Sequence, residues 1–426
     1  MAIKTIGATG RQYSTIALWE SYLDGLGTLT ENEIGECYND SEFDEAVVFS
    51  GFTPGASAKV ILRAATGQGF RDAASPVLRY DQTKGVAWTK TISSFTDVCD
   101  MSVNFMELFG FQINCKNAYI KGIHMRGGSS NLVDSCIVTA PGDFANSGLV
   151  RSTVAGTLRN CLLYANDVDG ALFIIGGFVA FKFYTCTFAR TSNRTPAGYG
   201  FIHGGYDTNS IVKNCAFFGF STAQWDLTLD ITPTYCATDA ADFPQAVTGE
   251  VLNVPHSTTT FQAVGATPDY RAKDGSGLDG VGVADATNYP TDIFGTTRAD
   301  PPFIGCFEVA AAGGTTVAPG AGAFSFAGSA VTLTRTRALA PDAGGYSFAG
   351  QPATVGRTRA IAIAAGAWSI AGSAATLVRT RTIAAVAGAF SFAGQTVTIT
   401  AAELVSVVKQ AMRRRHRQRK LRARNK

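Results

Sequence analysis

Val133-Asp-Ser-Cys136-Ile-Val138, Leu158-Arg-Asn-Cys161-Leu-Leu163, Phe183-Tyr-Thr-Cys186-Thr-Phe188 and Val212-Lys-Asn-Cys215-Ala-Phe217 are four copies of one frame. Their cysteines stand 25, 25 and 29 residues apart. Three columns are apolar: the residue three before each cysteine, the cysteine itself and the residue two after it. Just before each cysteine comes a small polar residue, Ser135, Asn160, Thr185 or Asn214. Positions three apart point to opposite faces of a straight strand. Two apolar positions at that spacing therefore require a bend between them. Asn tolerates the left-handed backbone that such a bend needs, and Ser or Thr hydrogen-bonds locally. Strand, bend and strand at this interval describe coils of a parallel β-helix, each climbing ~4.8 Å. The cysteines then stack as small apolar filling. Tyr119-Ile-Lys-Gly-Ile123-His-Met125 reads as an earlier turn of the same kind, although 14 residues before Val133 is short for a full coil.

A solenoid needs closed ends. Residues 12–27 begin with a Ser/Thr cap signal, and Ile16, Leu18, Trp19 and Leu23 have amphipathic spacing. This segment is expected to plug the N-terminal end. Nine cysteines contain no Cys-x-x-Cys pair, which favours buried free thiols over a zinc site. The N-terminus carries no apolar signal core, and the longest apolar run, 171–181, is too short to span a bilayer. No membrane span is expected, and the chain reads as soluble and made in the cytoplasm.

A second period follows. Phe324, Tyr346, Trp368 and Phe390 are 22 residues apart, each in a Gly-Ala/Gly-aromatic-Ser-Phe/Ile-Ala-Gly sentence. Arg335, Arg357 and Arg379 keep the interval, as do Arg337, Arg359 and Arg381. Such a period means an array. Within a unit, Phe324 and Phe326 share a face, 327–329 read as a turn, and Val331-Thr-Leu333-Thr as the second strand of a hairpin. The arginines are expected to reach an aromatic of the next unit or a neighbouring chain. A lone hairpin is marginal, so four must stack, trimerise or lie on another protein.

The tail is cationic. Ten of the 36 Lys and Arg lie from Lys409 onward, leaving 26 against 33 acidic residues before it, a balance of about −7. Residues 401–412 have helical spacing and run into a basic stretch. Lys409, Arg413, Arg414, Arg415, Arg417, Arg419, Lys420, Arg422 and Arg424 are candidate contacts to packaged DNA or an acidic protein. Lacking a base-reading motif, any DNA contact would be to phosphates and salt-dependent.

Chemistry finds little support. Glycan cleavage needs two carboxylates about 5–9 Å apart. The column two before each cysteine holds Asp134, Arg159, Tyr184 and Lys213, which reads as a surface ion pair. Asn166-Asp-Val-Asp-Gly170 fails the EF-hand frame. Asp40, Glu42, Asp44 and Glu45 read as a solvated patch. His124, His203, His256 and His416 form no ligand set, with His203 alone near a possible groove. No catalytic residue, metal or cofactor is expected.

Gly10-Arg-Gln-Tyr-Ser-Thr-Ile-Ala-Leu-Trp-Glu20, the Asn-Cys coils, Asp269-Tyr-Arg-Ala-Lys-Asp-Gly and Ile304-Gly-Cys-Phe-Glu308 resemble right-handed parallel β-helix proteins of the pectate-lyase-like superfamily from tailed bacteriophages. The resemblance covers about residues 5–310, and the 22-residue array resembles repeats appended to phage structural proteins. It implies an all-β chain: a right-handed β-helix over 1–310, in which the ending closes the last coil, a linker over 311–321, a 22-residue-period β array over 322–400 and a basic helical tail over 401–426. It further implies a virion structural protein (spike, head fibre or decoration/connector) docked C-terminally on other virion proteins, a homotrimer by preference. The alternatives are a polysaccharide depolymerase and a non-catalytic adhesin for a host surface glycan.

Overall fold

The structure is a computed structural model. It describes residues 2–308 apart from 92–96, 117–120, 141–148, 166–171, 177–178, 191–200, 204–209, 221–232, 242–247 and 266, and beyond 308 the strands between 324 and 400. The chain divides into two compact units, Met1–Ala310 and Ala311–Lys426.

The first unit is a parallel β-solenoid with three sheets. One coil runs from Asn131–Asp134 in the first sheet to Ile137–Ala140 in the second and Val150–Ser152 in the third. The next coil, Gly156–Arg159, Leu162–Ala165 and Phe173–Ile175, pairs with it in register: Val133 faces Leu158, Ile137 faces Leu162 and Val150 faces Phe173. Between the first two sheets the chain turns on one residue. Gly110, Ser135, Asn160, Thr185, Asn214 and Tyr235 all have φ between +51° and +74°. Five of these six are not glycine, so local hydrogen bonds must offset the left-handed strain. Thr185 Oγ1 donates to Asn160 Oδ1 at 2.7 Å, Asn160 Nδ2 to Asp134 Oδ1 at 3.2 Å, and Ser135 Oγ to the same oxygen at 2.9 Å.

Behind each bend the cysteine points inward. Cys136, Cys161, Cys186, Cys215 and Cys236 have no exposed surface, and neither do Val133, Leu158, Phe183 and Val212 or Val138, Leu163, Phe188 and Phe217. The thiols also hydrogen-bond. Cys161 Sγ lies 3.1 Å from the Arg159 carbonyl and Cys186 Sγ 3.4 Å from that of Tyr184, so each caps the chain where it turns. Phe188 and Phe217 stack at 5.0 Å and 3°.

Three sequence expectations need correction. Ile123–Met125 is not an earlier bend coil: it lies in the third sheet, between Cys99–Met101 and Val150–Ser152. The coil that precedes Cys136 is Met106–Phe109, Gly110 and Gln112–Asn114, where Gly supplies the bend and Phe111 fills the cysteine column. The helix Ile16–Leu26 has its Thr15 cap, with Oγ1 accepting the Leu18 amide at 3.1 Å, but it buries Ile16, Trp19 and Leu23 and leaves Leu18 51% exposed.

The third correction concerns the ending. It does not close the last coil but lies along the flank. Tyr270 N donates to the Leu78 carbonyl, Arg159 Nη1 to the Asn288 carbonyl, and Gly305 N to the Asn214 carbonyl. Phe294 packs on Phe70. The outer face of the second sheet presents Ile137, Leu162, Ala189, Ala216 and Phe218, and this ending covers it with Tyr270, Ile293, Phe303 and Ile304 in a second apolar cluster. Arg298 has just 4% of its side chain exposed. It donates to Asn160 Oδ1 and to the carbonyls of Thr291, Phe303 and Gly305, with Glu308 at 3.7 Å.

In the second unit the strands pair in parallel. Phe324–Gly328 lies beside Tyr346–Gly350, then Ala367–Val378, then Ala389–Thr400, placing Phe324 opposite Tyr346, Tyr346 opposite Trp368 and Trp368 opposite Phe390. Among the described residues the expected hairpin pairing is not seen: Phe324–Gly328 and Val331–Thr334 are not neighbours in the sheet. Each strand's neighbour is its copy 22 residues on, a separation long enough for a parallel connection. Ala367–Val378 and Ala389–Thr400 run straight through the positions expected to turn.

Candidate functional site

Alternation in the third sheet turns Cys99, Met101, Ile123, Met125 and Val150 inward and leaves Asp100, His124 and Arg151 side by side on the outer face. Asp97, two residues before the first of these strands, joins them. Asp97 Oδ2 lies 2.8 Å from His124 Nδ1, and its Oδ1 accepts from Lys121 Nζ at 3.2 Å and Lys121 N at 3.0 Å. Asp100 takes Arg126 Nη2 at 2.6 Å, Arg126 Nε at 3.0 Å and Ser102 Oγ at 2.8 Å. Asp97, Asp100 and His124 are all buried. Burial would push the Asp97 carboxyl up, but hydrogen bonds from His124 and Lys121 together hold it below its ordinary value.

Donor atoms of Asp97, Asp100 and His124 fall within 4.8 Å of one another. That geometry is compatible with a metal ion, yet the chemistry disfavours one. Both Asp100 oxygens are engaged by Arg126, and both Asp97 oxygens by Lys121 or His124. The two cations already neutralise the two anions, so a divalent ion would have to displace them. The cluster is an internal ion network. The expected unrelated context of His124 is thus corrected: it pairs with Asp97 in an ion network. The partners are one coil apart, 24 to 27 residues, and that interval was readable as Asp97/Lys121 and Asp100/Arg126.

A concavity lies on the outer face of the first sheet, with a volume of about 410 Å³. Ile61 and Phe109 line it with Arg63, Arg71, Asp72, Glu107, Asp134 and Thr291. Its acids are engaged too: Glu107 by Lys59 at 2.6 Å, Asp134 by Arg159 at 2.7 Å, and Asp72 by the Gly69 amide at 3.0 Å. Arg63 is paired with Glu36 at 2.5 Å.

The outward column of Asp134, Arg159, Tyr184 and Lys213 is not a free surface. The flanking ending packs on it, with Tyr289 against Tyr184 at 5.7 Å and Asp285 paired with Lys213 at 3.2 Å. Nor is the acidic patch merely solvated. Asp40 accepts the Ala8 and Thr9 amides, Asp44 the Thr91 amide, and Glu42 bonds Tyr80 and Lys116. Glu45 takes the Ile16 and Ala17 amides at 2.8 and 3.0 Å, where the helix N-terminus favours an anion. Burial pushes its carboxyl up.

Phe324, Tyr346, Trp368 and Phe390 lie opposite one another in the second unit's strands. Arg335, Arg357, Arg379, the Asn166–Gly170 loop and the basic residues from Lys409 to Arg424 lie outside the described residues. His203 ends the third-sheet strand Phe201–His203. Among the described residues no helix is long and apolar enough to cross a membrane. No protein-family model matches the chain, and a search of curated proteins gives no match either.

Proposed function

We propose that this chain is a structural protein of a tailed-phage particle: a β-helix spike, head fibre or connector. Its 22-residue array would serve as a stem, and the tail from Lys409 would dock on an acidic virion surface or packaged DNA. The observation that carries this reading is where the acids go. Among the described residues, Asp97, Asp100, Glu107 and Asp134 are each held by a cation of the wall, and Asp72 by the Gly69 amide. A chain whose carboxylates are spent on stiffening fits a rod better than a catalyst. The test is incorporation. Full-length chain should enter particles and chain lacking 401–426 should not; equal incorporation refutes the anchor.

A second reading, a polysaccharide depolymerase, is favoured by two observations: the close approach of Asp97 and Asp100, and the groove floored by Ile61 and Phe109. Release of reducing ends from host capsule by the full chain, abolished in Asp97→Asn, would replace the structural reading with this one.

A further inference from the structure

Two nitrogens on the outer face of the third sheet are shut off from solvent and have no hydrogen-bond partner: His124 Nε2 and Arg151 Nε. The two residues are register neighbours, ~4.8 Å apart along the coil axis. A buried polar nitrogen without a partner costs stability and calls for an explanation.

The surroundings say what is missing. His124 gives Nδ1 to Asp97, which fixes the ring and turns Nε2 away from that carboxylate. Lys121 occupies the other Asp97 oxygen, and Arg126 and Ser102 occupy Asp100, so neither acid is left to serve the two nitrogens. With those pairs closed, Arg151 is a guanidinium with no ion pair among the described residues. Its guanidinium lies over Gly176, where an added Cβ would come 3.5 Å from Nη2 and 3.6 Å from Nε. Arg151 is half-buried, so the pair can be approached from its side.

We propose that this face binds an oxyanion, a carboxylate, phosphate or sulfate group, between Arg151 Nε–H and His124 Nε2–H. One oxygen of the anion accepts from each nitrogen, and the guanidinium supplies the charge. With Nδ1–H donated to Asp97, Nε2 can donate only in the imidazolium form. The charged groups facing that imidazole are Asp97, Asp100, Lys121, Arg126 and Arg151.

The experiment is calorimetric titration of the full chain with inorganic phosphate, sulfate and acetate. Saturable one-to-one binding of at least one anion is expected. The anion that binds identifies the ligand class. Arg151→Met and His124→Gln should each weaken binding at least tenfold. Gly176→Ala, which leaves both donors in place and puts a methyl over the guanidinium, should also weaken it and decides the matter if either variant fails to fold. Absence of saturable binding for all three anions overturns the proposal. So does affinity unchanged in the variants.

Discussion

Both polar atoms of the Asn214 side chain close on Val283: Nδ2 donates to its carbonyl at 2.7 Å, and Oδ1 accepts its amide at 3.0 Å. Asn214 also turns its own coil, at φ +54°. One residue thus shapes the solenoid and holds the segment that flanks it.

These two roles separate by mutation. Asn214→Gly keeps the left-handed bend and loses the Val283 bonds, about 1 kcal/mol each, so about 2 kcal/mol. Asn214→Ala loses the same bonds and adds about 1 kcal/mol of left-handed strain. Urea unfolding should rank wild type above Gly and Gly above Ala. Equal stability of the Gly and Ala variants would mean that the bend imposes no strain.

The bends were legible because their requirement is local. A left-handed residue between two strands leaves its mark as Ser135, Asn160, Thr185 or Asn214 before an inward cysteine. Gly110 and Tyr235 make the same bend but escaped notice, the first because Phe111 replaces the cysteine, the second because Tyr is bulky for that role. The third sheet was hidden for a different reason. Its strands are three residues long and follow connections of unequal length, so Ile123–Met125 carries no periodic cue. Least legible was the flanking ending. Arg298 meets Asn160 across 138 residues, and no local pattern encodes which surface an apolar ending will cover.

Arg298 should be the keystone of that ending. It is almost wholly buried, and the carboxyls of Asp292 and Glu308 beside it are both pushed up by burial. Arg298→Met leaves these acids uncompensated and removes the bonds to Asn160 and Gly305. A loss of about 3–5 kcal/mol is expected, together with new proteolytic cleavage between 280 and 300. A variant as resistant as wild type would show that Tyr270, Ile293 and Phe303 hold the segment without the arginine.

Acid should loosen the same segment through His256. Its ring lies against Phe218, Phe261 and Tyr270, and burial lowers its pKa to about 4. A histidine depressed in the fold contributes stability that is complete above about pH 6.5 and is lost as pH falls to 4, about 3 kcal/mol in all. Glu20 works in the opposite sense. Burial, and then the neighbouring Asp24, raises its pKa to about 6, so folding gains as pH drops from 6 to 4.5. Glu20 is half-exposed, and its share is below about 1 kcal/mol. Glu45, Asp292 and Glu308, also raised by burial, gain in the same direction, so wild-type stability between pH 6.5 and 4.5 should fall relative to that of His256→Phe. In His256→Phe it should stay level or rise, as read by denaturant midpoints across that window. A His256→Phe curve parallel to wild type would place the titration elsewhere.

The cysteines give a way to watch the two layers part. All nine are free and buried, and burial pushes Cys236 and Cys306 up to about 12. Only thiolate reacts, so the native chain should resist thiol reagents at pH 8 for as long as its coils stay closed. Cys306 sits on the flanking ending, with its amide bonded to Thr187 Oγ1 at 3.0 Å, whereas Cys136, Cys161, Cys186 and Cys215 line the solenoid. The ending can lift without opening a coil, but a coil opens only by breaking parallel ladders on both sides. In Arg298→Met, mass-resolved labelling should therefore modify Cys306 well before the ladder cysteines, the order expected of separate cooperative units. Simultaneous labelling would mean that ending and coils unfold as one body, with the flanking segment as integral to the solenoid as any of its strands.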